Sequence, residues 1–209
     1  MSESKIEEKK KQVIGLYGEM RLSMELHDLG WQVHRAYLDE GIDFVITKYY
    51  CQKCKKYSNQ WIKTGTFNNA KTKCVTNLCE HCHDTKLTVI SRYLQVKTSE
   101  GVPTNKKDEK NFSFHPKIRY DMGNEMFYIW IAVFEKTNEK LCHFYIFNTS
   151  DVSLFDDLAL PTYQITDDQK TELTIREDGC VTKKGRKYDY SCFNKKFYND
   201  WTALELEIK

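Results

Sequence analysis

The stretch that decides the fold runs from residue 26 to residue 46 and reads LHDLGWQVHRAYLDEGIDFVI. A helical pattern ends at Gly30, because glycine is common just past the last turn of a helix. Two strand-like runs follow, residues 31–37 and residues 42–49, and a turn-like segment at 38–41 joins them. A helix that leads into a hairpin of this kind, with further strands downstream, predicts a mixed α/β layer fold.

The helix itself is predicted from residue 4 to residue 30. Ser4 and Glu7 have the spacing of a capping box at its start. Gly15 and Gly18 are each unfavourable in a helix interior by roughly 1 kcal/mol relative to alanine, so the helix either breaks there or packs closely against a neighbour. At 100° per residue, Glu19 lies at the edge of the apolar stripe, and we expect it to point toward the interior or a cleft; the stripe contains Gly15, Leu22, Leu26 and Leu29.

The remaining chain predicts more strands and one more helix. A segment at 126–134 is almost entirely apolar and aromatic, which is typical of a strand buried on both faces. The other predicted segments are a strand at 87–98, a flexible charged loop at 99–110, a strand at 141–147, and a final helix at 194–207 with Trp201 and Leu204 facing inward.

Composition bounds the function classes. The 209 residues suit one domain, and 32 Lys+Arg against 30 Asp+Glu give a net charge of only +2, so bulk charge does not indicate a nucleic-acid binder. No apolar run approaches the ~20 residues of a membrane span, and the charged start lacks the apolar core of a secretory signal. We therefore expect a cytoplasmic protein without a membrane segment, whose eight cysteines are thiols or metal ligands rather than disulfides. No Gly-rich phosphate loop, GxSxG elbow or dinucleotide fingerprint occurs.

Strand alternation brings candidate catalytic residues to one face. In the second strand, Asp43 points away from its apolar neighbours, and in the segment at 93–99, YLQVKTS, Gln95 and Lys97 share a face. If these strands pair, Asp43, Gln95 and Lys97 become neighbours, and Glu19 could complete the group. Taken singly, each feature is more often part of a structural ion pair.

The order of these residues resembles the PD-(D/E)xK nuclease superfamily, and most closely its Mrr-type and Holliday-junction-resolvase-like branches. The resemblance rests on Gly18-Glu19, on the Asp that follows Gly41-Ile42, and on Gln95-x-Lys97. It implies a restriction-endonuclease-like mixed sheet flanked by helices and a homodimeric endonuclease acting on DNA. It also implies a role in restriction or phage defence, in which a partner subunit of a defence system could take part.

The resemblance also implies a role for each residue. Asp43 would bind a catalytic Mg²⁺ or Mn²⁺, with Glu19 as a second ligand, while Lys97 would orient the attacking water and Gln95 would offer its carbonyl oxygen. The commoner motif has Glu where this chain has Gln95, so weaker metal binding or loss of activity is the alternative. Asp39 and Glu40 are rival acids that are better explained as solvated turn residues. His27 and His34, as bases, are better explained as surface or core histidines.

Cysteines dominate the segment between the two halves of the predicted core. Cys51-x2-Cys54 and Cys79-x2-Cys82 form two knuckles with the spacing of a structural Zn²⁺ site, and Cys74, His81 and His83 are substitute ligands. We therefore predict a nuclease-like core at 1–50 and 87–209 and a small inserted zinc-ribbon-like lobe at 51–86, which needs the metal because it has few large apolar residues. The unpaired Cys142, Cys180 and Cys192 are predicted to be small buried hydrophobes.

Basic and aromatic residues give weaker candidates for DNA contact. They are Lys55, Lys56 and Trp61 in the predicted lobe and Lys183, Lys184, Arg186 and Lys187 near a glycine turn in the tail. A solvated surface explains both groups equally well. Two rival functions stay open at this point: a non-catalytic nucleic-acid-binding protein that uses the zinc ribbon on a nuclease-like scaffold, and a nuclease directed at RNA or branched junctions.

Overall fold

The structure is a computed structural model that describes residues 3–36, 41–58, 66–69, 72–75, 78–114, 120–136, 139–151, 171–182 and 191–205. Within these ranges the α-helices are α1 (Glu3–Asp28) and α2 (Ser191–Phe197), and 3-10 helices occur at Tyr120–Glu125, Thr149–Asp151 and Trp201–Glu205. The strands are β1 (Gln32–Arg35), β2 (Phe44–Cys51), β3 (Lys56–Ser58), β4 (Thr66–Asn69), β5 (Thr72–Val75), β6 (Leu87–Glu100), β7 (Val102–Pro103), β8 (Glu109–Phe114), β9 (Met126–Lys136), β10 (Glu139–Asn148), β11 (Thr171–Arg176) and β12 (Val181–Thr182).

The main sheet has the order β1-β2-β6-β9-β10, and β3 adds to the same edge of β2 as β1. Strands β6 and β9 run parallel, and the other neighbouring strands of this sheet are antiparallel. The predicted α/β class with a mixed sheet is therefore confirmed, and helices are few among the residues that the structure describes.

Strand β9 lies at the centre of two hydrophobic cores. Its even-numbered residues from Met126 to Phe134 face one core, and its odd-numbered residues from Phe127 to Val133 face the other. All nine residues of 126–134 are buried, so the prediction of a strand covered on both faces is confirmed. Alternation of side chains across a strand explains why such a strand has no polar face.

Helix α1 covers one face of the main sheet as a continuous helix that ends before Gly30, which has a φ of 82°. Leu22 and Leu26 are fully buried against this face. Of the two possibilities that the sequence allowed, Gly18 packs closely against a neighbour, because a Cβ built there would collide with the Thr98 side-chain oxygen. The predicted helix is thus confirmed, and Gly18 is the point where it approaches β6.

A second sheet, in the order β12-β11-β8-β7, covers the opposite face. Phe112 and Phe114 of β8 are buried there, and the Phe114 ring stacks on Trp130 at 4.9 Å between centroids. The expectation of a sheet flanked by helices therefore applies to the α1 face, whereas mainly strands, with the short α2, cover the other face.

The predicted flexible loop at 99–110 is wrong in part, because only residues 104–108 form a connection between strands of any length. Strand β6 continues to Glu100, β7 follows, and β8 begins at Glu109. The charges that suggested a loop belong to a turn in which Lys106 Nζ contacts Glu109 Oε1 at 2.8 Å. The aromatic residues that anchor this hairpin come later, at 112 and 114, so a short window of sequence did not contain them.

The predicted final helix at 194–207 is also wrong in part, because it breaks between α2 and the 3-10 helix at 201–205. Asn199 adopts a left-handed φ of 51°, its N–H donates to the Phe144 carbonyl at 2.9 Å, and its side-chain oxygen accepts from the Phe144 N–H at 3.3 Å. The chain thus bonds to the edge strand β10 instead of continuing a helix. Leu204 is fully buried, as predicted, and Trp201 is half-buried.

None of the helices within the described ranges combines the length and apolar character that crossing a membrane requires.

Candidate functional site

Asp43 lies immediately before β2, next to Gln95. The β2–β6 register pairs Phe44 with Leu94, and its continuation by one residue sets Asp43 opposite Gln95. The Asp43 N–H donates to the Leu94 carbonyl at 2.8 Å, and its Oδ2 accepts the Val96 N–H at 2.5 Å. The carboxylate therefore takes the place of a backbone acceptor at the end of the strand pair, which fixes its position.

Gln95 is 1% exposed, and its side-chain amide is anchored. Its Nε2 donates to the Gly41 carbonyl at 3.1 Å. Gly41 has a φ of 84°, a conformation that glycine adopts without strain. Because a backbone carbonyl can only accept, the hydrogen bond to Gly41 identifies the amide nitrogen and fixes the orientation of the side chain.

Lys97 lies two residues beyond Gln95 on β6, about 7 Å along the strand. It is half-buried and shares its sheet face with Gln95, whereas Leu94 and Val96 point to the opposite face under α1. Three of the four predicted catalytic residues, Asp43, Gln95 and Lys97, are thus neighbours at one end of the β2–β6 pair.

Glu19 belongs to the other side of the sheet. It lies on α1 with 24% of its side chain exposed, and its Oε2 is 3.1 Å from the Arg35 guanidinium. Arg35 pairs with Phe44 in the β1–β2 register, so this ion pair is close to the start of β2 but on the α1 face. A role for Glu19 as a metal ligand would require reaching around the end of β2, and it stays a prediction.

Of the rival residues, the structure describes only the two histidines. Asp39 and Glu40 lie outside the described residues. His27 and His34 are both exposed, and His34 Nε2 is 3.3 Å from Thr47 Oγ1.

The second candidate site is a cluster of four cysteines. The sulfurs of Cys51, Cys54, Cys79 and Cys82 all lie within 4.8 Å of one another. The Cys51–Cys82 and Cys54–Cys79 sulfur distances are 3.5 and 3.6 Å, and four sulfurs at ~2.3 Å from a tetrahedral Zn²⁺ would be about 3.8 Å apart. The cluster is compatible with a structural metal such as zinc, and four thiolates would leave no open coordination position for chemistry.

The two cysteine knuckles have the same backbone geometry. The Lys55 N–H donates to the Cys51 carbonyl at 2.9 Å, and the His83 N–H donates to the Cys79 carbonyl at 2.8 Å. Lys55 and His83 both adopt left-handed φ angles, of 56° and 57°. Of the substitute ligands considered, His81 has its Nε2 2.9 Å from the Tyr57 carbonyl, and neither it nor His83 belongs to the cluster; the side chain of Cys74 lies outside the described residues.

The thiols of the cluster differ in acidity. A hydrogen bond from the Cys54 backbone N–H is the main cause that lowers the pKa of Cys51 from 9.0 to about 7. Burial is the main cause that raises the pKa of Cys54 to about 12, and contacts with the other thiols add to it. Metal binding must therefore displace protons from part of the cluster.

The cysteine cluster and the Asp43 centre lie at opposite ends of β2. Eight residues separate Asp43 from Cys51, which corresponds to about 27 Å along a strand. Strand β3 pairs with β2 through Tyr49–Ser58 and Cys51–Lys56, so the predicted lobe begins as an extension of the main sheet. Any role of the metal in the chemistry at Asp43 would therefore be indirect.

The candidates for DNA contact are only partly visible. Lys55 and Lys56 are exposed beside the knuckles. Trp61, Lys183, Lys184, Arg186 and Lys187 lie outside the described residues, so their predicted role is not addressed.

Some residues near these sites were missed or misjudged from sequence. Arg35, the partner of Glu19, lies within the segment at 26–46, but strand alternation alone did not identify the helix residue with which it forms an ion pair. Lys48 and Arg92 were missed as buried cations: Lys48 Nζ contacts Glu205 Oε1 at 2.5 Å, and Arg92 Nε donates to the Leu204 carbonyl at 3.2 Å. Cys142, on the edge strand β10, and Cys180, in the turn between β11 and β12, are half-buried rather than buried. The side chain of Cys192 lies outside the described residues.

Comparison of the chain with protein-family models, curated proteins and solved structures gives no match in any of the three.

Proposed function

We propose that this protein is a metal-dependent endonuclease that hydrolyses DNA phosphodiester bonds at a centre formed by Asp43, Gln95 and Lys97. The observation that supports the proposal is the adjacency of an acid, an amide and a lysine at one end of the β2–β6 pair. In the mixed sheet, β6 carries the Gln-x-Lys pair and runs parallel to β9, whose residues 126–134 are all buried. This rigid support suits a site that must hold its groups in fixed positions.

A bound Mg²⁺ or Mn²⁺ would polarise the phosphate and lower the pKa of the attacking water. Asp43 would hold the ion, because a carboxylate has enough lone pairs to accept the Val96 N–H and still bind a metal. Gln95 would offer its carbonyl oxygen as a hard ligand. Lys97 would orient the water and stabilise the charge that develops on the phosphate.

The amide at Gln95 is the unusual feature of this centre. It carries no charge, so it attracts a cation less strongly than a glutamate would. Its burial and its hydrogen bond to Gly41 compensate in part, because a pre-oriented ligand loses little conformational entropy on binding.

The test is cleavage of supercoiled plasmid, phage DNA and branched DNA by the zinc-loaded protein. Mg²⁺ or Mn²⁺ is added or omitted, since omission leaves the cysteine cluster loaded where a strong chelator would not. We expect metal-dependent cutting that falls by ~10²-fold or more in Lys97→Ala, while the matched variant of an exposed lysine, Lys107→Ala, cuts like the wild type. Equal cutting by Lys97→Ala and the wild type would contradict the assigned centre.

A second candidate function is non-catalytic nucleic-acid binding through the zinc-ribbon-like segment. It is favoured by two hydrogen bonds, one between Asp43 and Val96 and one between Gln95 and Gly41. These structural contacts explain the presence of both residues without a catalytic role. Binding without cutting in Mg²⁺ or Mn²⁺ would support it. Preferential cutting of RNA or of branched DNA in the same assay would instead support the same catalytic centre with a different substrate.

A further inference from the structure

Helix α1 is apolar on two opposite faces. The inner face, with Gly18, Leu22 and Leu26, packs on the sheet. The outer face carries five large apolar side chains that are between 41% and 64% exposed, and we call it the outer stripe: Ile6, Val13, Leu16, Met20 and Met24. At 100° per residue these five positions fall within a band about 80° wide, centred almost directly opposite Gly18 and Leu22.

The outer stripe concentrates exposed apolar surface on one element. Single exposed apolar residues are ordinary, but a contiguous apolar patch on a soluble protein indicates an interaction site. Of the nine large apolar residues that are exposed in the described part of the chain, five belong to this stripe. Burial of the inner face needs none of them, so they require a separate explanation.

We propose that two copies of this chain pair through the outer stripes of α1, with the two helices antiparallel. We identify the partner as a second copy of the chain because the charges toward the two ends of the stripe are complementary in the antiparallel arrangement. Lys10 flanks the N-terminal half of the stripe and Asp28 lies just beyond its C-terminal end, and both are exposed. A parallel pair would bring the lysine run 9–11 of each copy against the same run of the other.

The spacing of the stripe sets the register of the pair. A two-fold axis near residues 18 and 19 sets Val13 against the partner subunit's Met24 and Leu16 against the partner subunit's Met20. The same axis brings Lys10 near the partner subunit's Asp28, and the two-fold symmetry repeats each contact. The opposed helix dipoles of an antiparallel pair also favour this orientation.

The size of the surface predicts a weak dimer. With the axis near residues 18 and 19, the two helices overlap over residues 9–28, which is ~30 Å, and a stripe ~10 Å wide would bury on the order of 300 Å² per copy, less than half of a standard interface. We therefore expect a monomer–dimer equilibrium in the micromolar range. The helix covers the face opposite Gln95 and Lys97, so dimerisation and the proposed cleavage can be tested independently.

The test is sedimentation equilibrium of the full chain from low micromolar to near-millimolar concentration. We expect a reversible dimer in the wild type that Met20→Glu abolishes, while Val89→Glu, which changes an equally exposed apolar residue on β6, leaves it intact. Lys10→Glu and Asp28→Lys should each weaken the dimer roughly three- to tenfold, and the double variant should restore it. Circular dichroism identifies any variant that has lost the fold.

Three results would overturn the proposal. The first is a wild type that stays monomeric over the whole range. The second is a dimer that Met20→Glu does not weaken, which would assign dimerisation to another surface. The third is a monomer that binds vesicles containing anionic phospholipid and loses that binding in Met20→Glu, which would assign the stripe to a membrane surface.

Discussion

At the scale of single residues, Asp43 has a structural role and, in the proposed function, a chemical one. Its Oδ2 accepts the Val96 N–H as a backbone carbonyl would, and its position opposite Gln95 makes it the natural metal ligand of the proposed centre. The alternation of side chains along the strands predicted that Asp43, Gln95 and Lys97 would lie close together. The hydrogen bond to Val96 could not be predicted, because it depends on how the strand pair ends at that point.

His143 should make stability fall at acid pH. Its ring is buried between the Tyr198 hydroxyl at 2.9 Å and the Glu177 carbonyl at 3.0 Å, and burial lowers its pKa below 6.5. As the pH falls below about 6.5, the unfolded chain binds a proton before the folded chain does, so the free energy of unfolding decreases.

Urea titrations from about pH 7 to about pH 5 should show a smaller pH dependence for His143→Gln than for the wild type. The difference in slope is at most ~1 proton, which is all that one ring can contribute. Identical slopes would mean that His143 does not titrate differently in the folded and unfolded states.

Lys55 holds a backbone conformation that favours glycine. A left-handed φ costs a residue with a side chain roughly 1 kcal/mol, so Lys55→Gly should be better tolerated than Lys56→Gly by about that amount. Lys56 is an equally exposed neighbour, but it lies in β3, where glycine is unfavourable. Chemical denaturation of the zinc-loaded variants measures the difference, and a larger loss of stability in Lys55→Gly would contradict the assigned geometry.

At the scale of elements, long and strongly patterned segments were predicted well. Helix α1, the hairpin of β1 and β2, and the doubly buried β9 follow from local periodicity and glycine position. The second sheet was missed because β7 and β8 are short and lie beside charged residues, and because the other neighbour of β8 is β11, which is distant in sequence. The broken C-terminal helix was missed because the bonding of Asn199 to β10 is a tertiary contact.

The two interior glycines of α1 should respond in opposite ways to alanine. Nothing lies within 4 Å of a Cβ at Gly15, so Gly15→Ala should stabilise the fold by up to about 1 kcal/mol through helix propensity. A Cβ at Gly18 would collide with the side chain of Thr98, and Gly18→Ala should cost about 1–3 kcal/mol. Thermal or urea unfolding tests the pair, and equal effects at the two positions would contradict the packing of α1 on β6.

At the scale of the whole molecule, the cysteine cluster and the proposed catalytic centre lie at opposite ends of β2. The cysteine cluster should hold one zinc per chain, as elemental analysis can determine. Cys79→Ser should lose the metal, and Cys142→Ser should retain it. Because the metal displaces protons from thiols, zinc affinity should fall as the pH decreases.

Removal of the zinc should loosen only one end of the sheet. In hydrogen exchange, we expect protection to be lost at residues 51–58 and 79–87 and retained at residues 126–134, which belong to both cores. Loss of protection throughout the chain on chelation would mean that the whole fold depends on the metal.

The most direct measurement of the proposed centre is Mn²⁺ binding followed by electron paramagnetic resonance, with zinc-loaded wild type beside Asp43→Asn. Asparagine keeps an oxygen that can accept the Val96 N–H, so this variant should fold with nearly unchanged stability while losing a charged metal ligand. We predict a Mn²⁺ site in the wild type that Asp43→Asn weakens at least tenfold. Equal Mn²⁺ binding by both proteins, or none by the wild type, would contradict a catalytic metal centre at Asp43.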